Sequence, residues 1–298
     1  MQYQLEANLI SYDEVLELYR TWVNQDEGFV LQLQYGPEHN FMKRTIAVKC
    51  AKRGNDVYRY RVNNRLKLLS EALDSIGVKI SESKTNTLFI TLTTSVNDSN
   101  IREAWDNIGK RWNRFLSALK KRYGPLDHVR AWESTERGYP HVHAELIFHE
   151  AEFNVFKDKN GRLRIQEKDD IAELWDSFID VQVPKDVQSA KNYILKEIFK
   201  HGFSFELGSK TLAMLWVFRK RAFSISRGLN QIMHRLDIAM HNSNQKSKAL
   251  DLFGLPIDDL HDAKWVFVGV FSWHKILDLV KPNQKDGLWA YELTGVPK

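Results

Sequence analysis

A single cysteine, Cys50, stands in a chain of 298 residues. No disulfide framework can form from it, and no cysteine-built zinc site is available. Apolar residues never run to the 18 or more that a membrane-spanning helix requires. The strongest apolar stretch, Trp265-Val-Phe-Val-Gly-Val-Phe-Ser-Trp273, is half that length. The opening residues are polar and acidic, without the basic-then-apolar pattern of a secretory leader, so a soluble, intracellular protein is expected. A phosphate-cradling G-x-x-x-x-G-K-[ST] loop is also missing. Gly208-Ser-Lys-Thr211 lacks the first glycine and the loop length, which excludes a fused nucleotide-driven helicase. No internal repeat is visible. The length suffices for one large core or two.

Charge is present but unevenly placed. Residues 1–40 hold seven acids against Arg20 alone, and residues 41–70 hold nine bases against Asp56 alone. The net of +8 over that second stretch exceeds the +5 of the whole chain. Further basic clusters are Lys110, Arg111, Arg114, Lys120, Lys121 and Arg122, then Arg219-Lys-Arg221 with Arg227. Such patches attract nucleic acid through phosphate contacts and counterion release, although any one of them also fits a solvated face. Tyr58-Arg-Tyr-Arg61 interleaves aromatics with Arg59 and Arg61, as stacking on single strands requires. It reads equally as a strand feeding the helix suggested by Leu66, Leu69 and Leu73.

Glu133-Ser-Thr-Glu-Arg-Gly-Tyr-Pro-His-Val-His143 is the most informative segment. Successive side chains of a strand alternate faces, so His141 and His143 point one way and Val142 the other. Val142, Ala144, Leu146 and Phe148 continue the apolar face. Arg137-Gly-Tyr-Pro140 is turn material, and Val129-Arg-Ala-Trp132 reads as the partner strand. A hairpin centred near Arg137 sets Glu133 opposite His141, and cross-strand neighbours share a face. Two imidazoles and a carboxylate on one face make a three-ligand site for a divalent metal, with positions left open. The plain alternative is a solvated strand face, which Glu145 and His149 fit as well.

Downstream, Asp186 is a candidate N-cap for a helix whose stripe is Val187, Ala190, Ile194 and Ile198. Tyr193 and Lys196 are three apart and therefore neighbours on its surface. A tyrosine is a poor nucleophile at its ordinary pKa of about 10. A nearby ammonium or metal favours the phenolate.

These residues together resemble a known family, the rolling-circle replication initiators (Rep proteins) of the HUH endonuclease superfamily, found in plasmids and viruses. Thr87-Leu-Phe-Ile-Thr-Leu-Thr-Thr94 resembles the first motif, a strand of the central sheet. Gly138-Tyr-Pro-His-Val-His143 resembles the metal-binding His-hydrophobic-His motif, and Tyr193-Ile-Leu-Lys196 the motif that carries the nucleophile. Position 189 is Ser, so the chain resembles the single-tyrosine members rather than the paired-tyrosine initiators.

The resemblance implies an α+β fold, a central antiparallel sheet of RNA-recognition-like type flanked by helices. It implies nicking of single-stranded or locally melted origin DNA through a 5′-phosphotyrosine link. His141, His143 and Glu133 would hold Mn²⁺ or Mg²⁺, Tyr193 would be the nucleophile and Lys196 its charge partner. Arg59, Arg61, Lys110, Arg111, Arg114, Arg219 and Arg221 are candidate DNA contacts. A separate host or replicon helicase and polymerase would be partners in a prokaryotic cytoplasm, with a dimer at the origin as one arrangement.

The expected organisation is an N-terminal extension over 1–84, an endonuclease core over 85–205, and a C-terminal helical region with a small docked segment over 206–298. Mostly helical flanks are expected. Within the core, a strand at 87–94 precedes a helix capped by Asn100 and Glu103, which ends at Gly124-Pro125. Residues 154–166 read as a hairpin turning at Asp158-Lys-Asn-Gly161. Ile171, Leu174, Trp175, Phe178 and Ile179 read as an amphipathic helix before a short strand at 181–183. Helices are expected from about 207 to 240, then a linker at 241–248. A mobilisation relaxase or single-strand transposase shares the chemistry, but relaxases usually carry a third histidine and the transposases often lack the lysine. A non-catalytic DNA-binding regulator stays open, as does a zinc hydrolase with Glu136 or Glu145 as base.

Overall fold

A computed structural model describes residues 11–34, 44–94, 100–184, 205–243, 264–282 and 290–297. In chain order the elements are α1 (Tyr12–Asn24), β1 (Glu27–Gln34), β2 (Arg44–Lys49), α2 (Asp56–Arg65), α3 (Leu69–Ser75), β3 (Lys84–Thr85) and β4 (Thr87–Thr93). There follow α4 (Ile101–Tyr123), β5 (Leu126–Ser134), β6 (Pro140–Phe148), β7 (Phe153–Lys157), β8 (Leu163–Ile165), α5 (Lys168–Ala172) and β9 (Ile179–Gln182). The last are α6 (Phe205–Val217), β10 (Phe223–Ile225), α7 (Arg227–Ser243), β11 (Lys264–Ser272), α8 (Trp273–Leu277) and β12 (Ala290–Leu293). The chain divides into two compact units, residues up to 20 with 62–239, and residues 21–61 with 240–298. No helix among the described residues is long and apolar enough to cross a membrane.

The larger unit is organised by a five-stranded antiparallel sheet in the order β10-β5-β6-β4-β9. Leu88, Ile90 and Leu92 of β4 and Val142, Ala144, Leu146 and Phe148 of β6 are buried on one face. Helix α4 packs its buried stripe of Ala104, Trp105, Ile108, Trp112, Phe115, Leu116 and Leu119 on that side, at the i, i+3, i+4 spacing of one helical face. Burying each large side chain contributes roughly 1.5–3 kcal/mol. A capping box starts the helix: Asn100 Oδ1 accepts from Glu103 N at 2.9 Å, and Glu103 Oε2 accepts from Asn100 N at 3.4 Å. Gly124 ends it at φ 84°, a conformation other residues rarely adopt. Trp105 donates through Nε1 to Gly138 O at 2.8 Å, fastening the helix to the β5–β6 turn.

A small sheet, β3-β7-β8, contains the expected hairpin, with Asp158 accepting from the backbone of Asn160 and Arg162 at its turn. Beyond it the chain departs from expectation. The stripe read from Ile171 to Ile179 as one helix is a short α5 followed by turns, and Ile179 opens β9. The edge of β4 captures the chain there. Thr93 N donates to Phe178 O at 3.0 Å and Trp175 Nε1 to Thr93 O at 3.1 Å, while Phe178 itself points to solvent. Between α6 and α7 the short β10 extends the sheet past β5, a strand too brief for its alternation to register in the sequence. His241 to Ser243 belong to α7, and the rest of the expected linker lies outside the described residues.

The second unit corrects the expectation of mostly helical flanks, since it contains a four-stranded antiparallel sheet in the order β11-β1-β2-β12. Strands distant in sequence supply it, so neither terminus alone shows the alternation of a complete sheet. Val30, Ala47, Trp273, Ile276 and Leu293 form its core. Tyr58-Arg-Tyr-Arg61 lies on α2 and not on a strand, because Asn55 Oδ1 accepts from Tyr58 N at 2.9 Å and starts a helix. A Cβ at Gly28 would stand 2.7 Å from both Trp273 and Ile276. Gly28→Ala is therefore expected to destabilise this unit by about 1–3 kcal/mol through overpacking, read as a lower midpoint in urea.

His128, on the apolar face, lies edge-on to Trp112 with ring centroids 5.5 Å apart. Burial, with help from Arg130 and Lys120, depresses its pKa to about 4. The folded state therefore favours neutral imidazole, whereas the unfolded chain takes up a proton near its ordinary value of about 6.5. This contribution is complete above that value and is lost as pH falls from there towards 4. We expect His128→Asn to remove roughly 1–2 kcal/mol of the stability difference between pH 7 and pH 5, measured by urea unfolding at both values.

Candidate metal centre

The β5–β6 hairpin builds the centre. Its turn is closed by Thr135 N donating to Tyr139 O at 2.8 Å and Gly138 N to Thr135 O at 2.9 Å. Gly138 takes φ 87°, which a side-chain-bearing residue adopts only with strain. The resulting register pairs Glu133 with His141 and Ala131 with His143, as the sequence spacing predicts. β6 is an inner strand, and on its other side β4 pairs Thr91 with His143 and Thr93 with His141. One face of three adjacent strands therefore carries Glu133, both histidines and both threonines.

Ligand atoms of Glu133, His141 and His143 all lie within 4.8 Å of one another. His143 Nε2 is 2.7 Å from Glu133 Oε2, and its Nδ1 is 3.1 Å from Thr91 Oγ1. His141 Nε2 is 2.7 Å from Thr93 Oγ1. The two imidazoles meet edge to face at 5.6 Å, and Phe89 stacks on His143 at 6.2 Å. Burial lowers the pKa of His141, the neighbouring His143 adds to that shift, and Glu133 opposes it. Neutral imidazole is the ligating form, so the shift keeps a nitrogen lone pair available. The donor set, two imidazoles and one carboxylate with an oxygen partner behind each ring, fits a divalent cation.

The face is not a solvated one. His143 is 9% exposed and Glu145, two residues further along the same side of β6, only 2%. His149 lies beyond the strand and pairs with Asp127 at 3.1 Å. The motif at 87–94 contains Thr91 and Thr93, but sequence reasoning gave them no role. Their signal is a T-x-T with the same period as the H-x-H it faces.

The predicted DNA contacts are dispersed. Lys110, Arg111 and Arg114 line a cleft on α4 with Asn107, Glu103 and Asp176, on the side of the sheet opposite the histidines. Arg111 is paired with Asp176 and lies over the Trp175 ring at 4.6 Å. Arg219 and Arg221 are exposed in the segment before β10. Ala222 O accepts from Trp132 N at 2.9 Å, which sets Arg221 beside the Glu133 end of β5. Arg59 and Arg61 sit on α2, where Arg59 contacts Asp56 at 3.6 Å. Tyr193 and Lys196 lie outside the described residues.

Residues 87–202 match the model of a family described as replication-associated protein ORF2, a match consistent with a rolling-circle replication initiator. The matched segment opens on β4 and contains the whole Glu-His-His cluster. Neither curated proteins nor solved structures give a match.

Saturating Mn²⁺ is expected to raise the unfolding temperature of the protein, since a ligand at a hundred times its Kd stabilises by about 2.7 kcal/mol. The rise should disappear in Glu133→Ala and His141→Ala and be reversed by a chelator, as followed by differential scanning fluorimetry.

Proposed function

We propose that this chain is a metal-dependent nickase and strand transferase that initiates rolling-circle replication. The observation that carries the reading is the hairpin register that assembles Glu133, His141 and His143 within 4.8 Å, inside the segment matched to a replication-associated family. Glu133, His141 and His143 would hold a divalent cation, Mn²⁺ or Mg²⁺, which would supply positive charge for a non-bridging oxygen of the scissile phosphate.

Tyr193 is the nucleophile in this reading. Its phenolic oxygen attacks phosphorus in line, the phosphorus–O3′ bond breaks, and O3′ leaves as a hydroxyl after taking a proton. The 5′ end stays on the tyrosine as a phosphodiester, and the free 3′-hydroxyl primes synthesis. In a later step a 3′-hydroxyl attacks the phosphotyrosine, rejoins the DNA and releases the phenol. Lys196, three residues on, favours the phenolate and offsets charge that develops on the phosphorane. Arg221 flanks the Glu133 end of β5 and supplies a phosphate contact. The DNA must be unpaired at the site, because a complementary strand would block the approach of the phosphate to the sheet.

Single-stranded DNA of the parent replicon, incubated with Mn²⁺ and resolved on a denaturing gel, tests the reading. Wild type is expected to give a cleaved 3′ end and a denaturant-stable protein–DNA adduct, both abolished in Tyr193→Phe. Cleavage without an adduct would assign the attack to water, and binding without cleavage would favour a DNA-binding regulator.

A further inference from the structure

We propose that Thr91 and Thr93 are positioning residues of the metal centre, each hydroxyl fixing the ring orientation and tautomer of one histidine. The proposal rests on His141, His143 and Glu133 being the ligand set.

The antiparallel ladder makes the pairing systematic. Thr91 stands opposite His143 and Thr93 opposite His141, so the two hydroxyls repeat with the period of the two imidazoles. Their distances, 3.1 Å to His143 Nδ1 and 2.7 Å to His141 Nε2, are hydrogen-bond distances. A neutral imidazole carries one N–H and one lone pair. A hydroxyl that accepts the N–H therefore keeps the lone pair on the other nitrogen. For His143 that nitrogen is Nε2, which faces Glu133 Oε2 at 2.7 Å. Without a cation, Nε2–H donates to the carboxylate and the Thr91 hydroxyl donates to Nδ1; with a cation held at Nε2, the proton would sit on Nδ1 and Thr91 Oγ1 would accept it. For His141 the hydroxyl takes Nε2, and Nδ1 is the remaining nitrogen. An oxygen partner on the non-ligating nitrogen also raises the basicity of the ligating one.

The hydroxyls are well placed for this task because they cannot easily move. Thr is branched at Cβ and stiff at χ1, and β4 is an inner strand held by β6 and β9. The strand end is fastened further by Trp175 Nε1 on Thr93 O and by Thr93 N on Phe178 O. Phe89, also on β4, stacks on His143 and restricts its tilt. One strand thus supplies both hydroxyls and the aromatic stop, while the ligands come from β6 beside it and from β5 one strand further on.

Thr→Val at either position keeps the volume and the branch but removes the hydroxyl, whereas Thr→Ser keeps the hydroxyl. Calorimetric titration of the full chain with Mn²⁺ compares wild type, Thr91→Val, Thr91→Ser, Thr93→Val, Thr93→Ser and His143→Ala, with melting curves of each metal-free protein as the check on folding. The Val variants should bind Mn²⁺ about ten- to hundredfold more weakly while still melting as folded, cooperative metal-free proteins, and the Ser variants should stay within a few-fold of wild type. Val variants that bind like wild type would overturn the proposal, as would Ser variants that lose as much as Val. A wild type that takes up no Mn²⁺, or a His143→Ala that binds equally well, would instead remove the ligand set and the proposal with it.

Discussion

The register of the β5–β6 hairpin is the constraint on which the site depends. Side chains of a strand alternate with period two, so a slip of one residue sends the whole ligand face to the opposite side. His143 would then project towards α4 among Trp105, Ile108 and Trp112, and Val142 would take its place beside Glu133. Two features prevent this. Gly138 supplies the positive φ that a five-residue turn from Thr135 to Tyr139 requires. Trp105, fully buried in α4, donates to Gly138 O and ties the turn to the helix. The chemistry on one face is thereby fixed by a hydrogen bond that starts from the other.

This division of labour explains how the sheet tolerates so polar a face. The α4 side is apolar and aromatic, with Leu88, Ile90, Leu92, Trp105 and Phe148 essentially excluded from water. An unpaired buried polar group costs about 1–3 kcal/mol, and a face carrying Glu133, Glu145, two histidines and two threonines incurs that cost repeatedly unless its groups find partners. The row Thr91–His143–Glu133 and the Thr93–His141 pair supply several of them. Groups that would otherwise destabilise the sheet satisfy one another at the strand spacing, and the same contacts hold the rings still. Sequence choices at each level therefore agree, as a uniquely specified fold requires.

Legibility in the sequence followed the range of the physics. Glu133 opposite His141 was readable because a hairpin register is set locally, by turn residues and alternation over eleven positions. The Asn100–Glu103 cap, the α4 stripe and the stop at Gly124 were readable for the same reason. The α5–β9 segment was not: Ile171 to Ile179 has helical spacing, and only the edge of β4, some eighty residues earlier in sequence, draws the chain into a strand. The second unit's sheet escaped notice because β1 and β11 pair across more than two hundred residues. Thr91 and Thr93 were visible as strand residues, but a threonine on a strand is ordinary until its cross-strand partner is known. Basic clusters were legible as charge and not as position, and α4 carries Lys110 and Arg114 on the side away from the histidines.

In the proposed reaction, the single tyrosine of the Tyr193-Ile-Leu-Lys196 segment limits what one protomer can do. Ser189 stands four residues before Tyr193, where the paired-tyrosine pattern would set a second phenol. Once Tyr193 carries the 5′ end in that reaction, the segment offers no equivalent nucleophile for a second cleavage until the first link is resolved. Rejoining needs none, because the arriving 3′-hydroxyl is itself the nucleophile and the phenol is the leaving group. A second cut on the displaced strand, however, requires either a free tyrosine from another copy or resolution before re-use. Under the proposed function, continuous production of unit-length circles therefore calls for a second protomer at the origin, whereas a single round of nicking and rejoining does not.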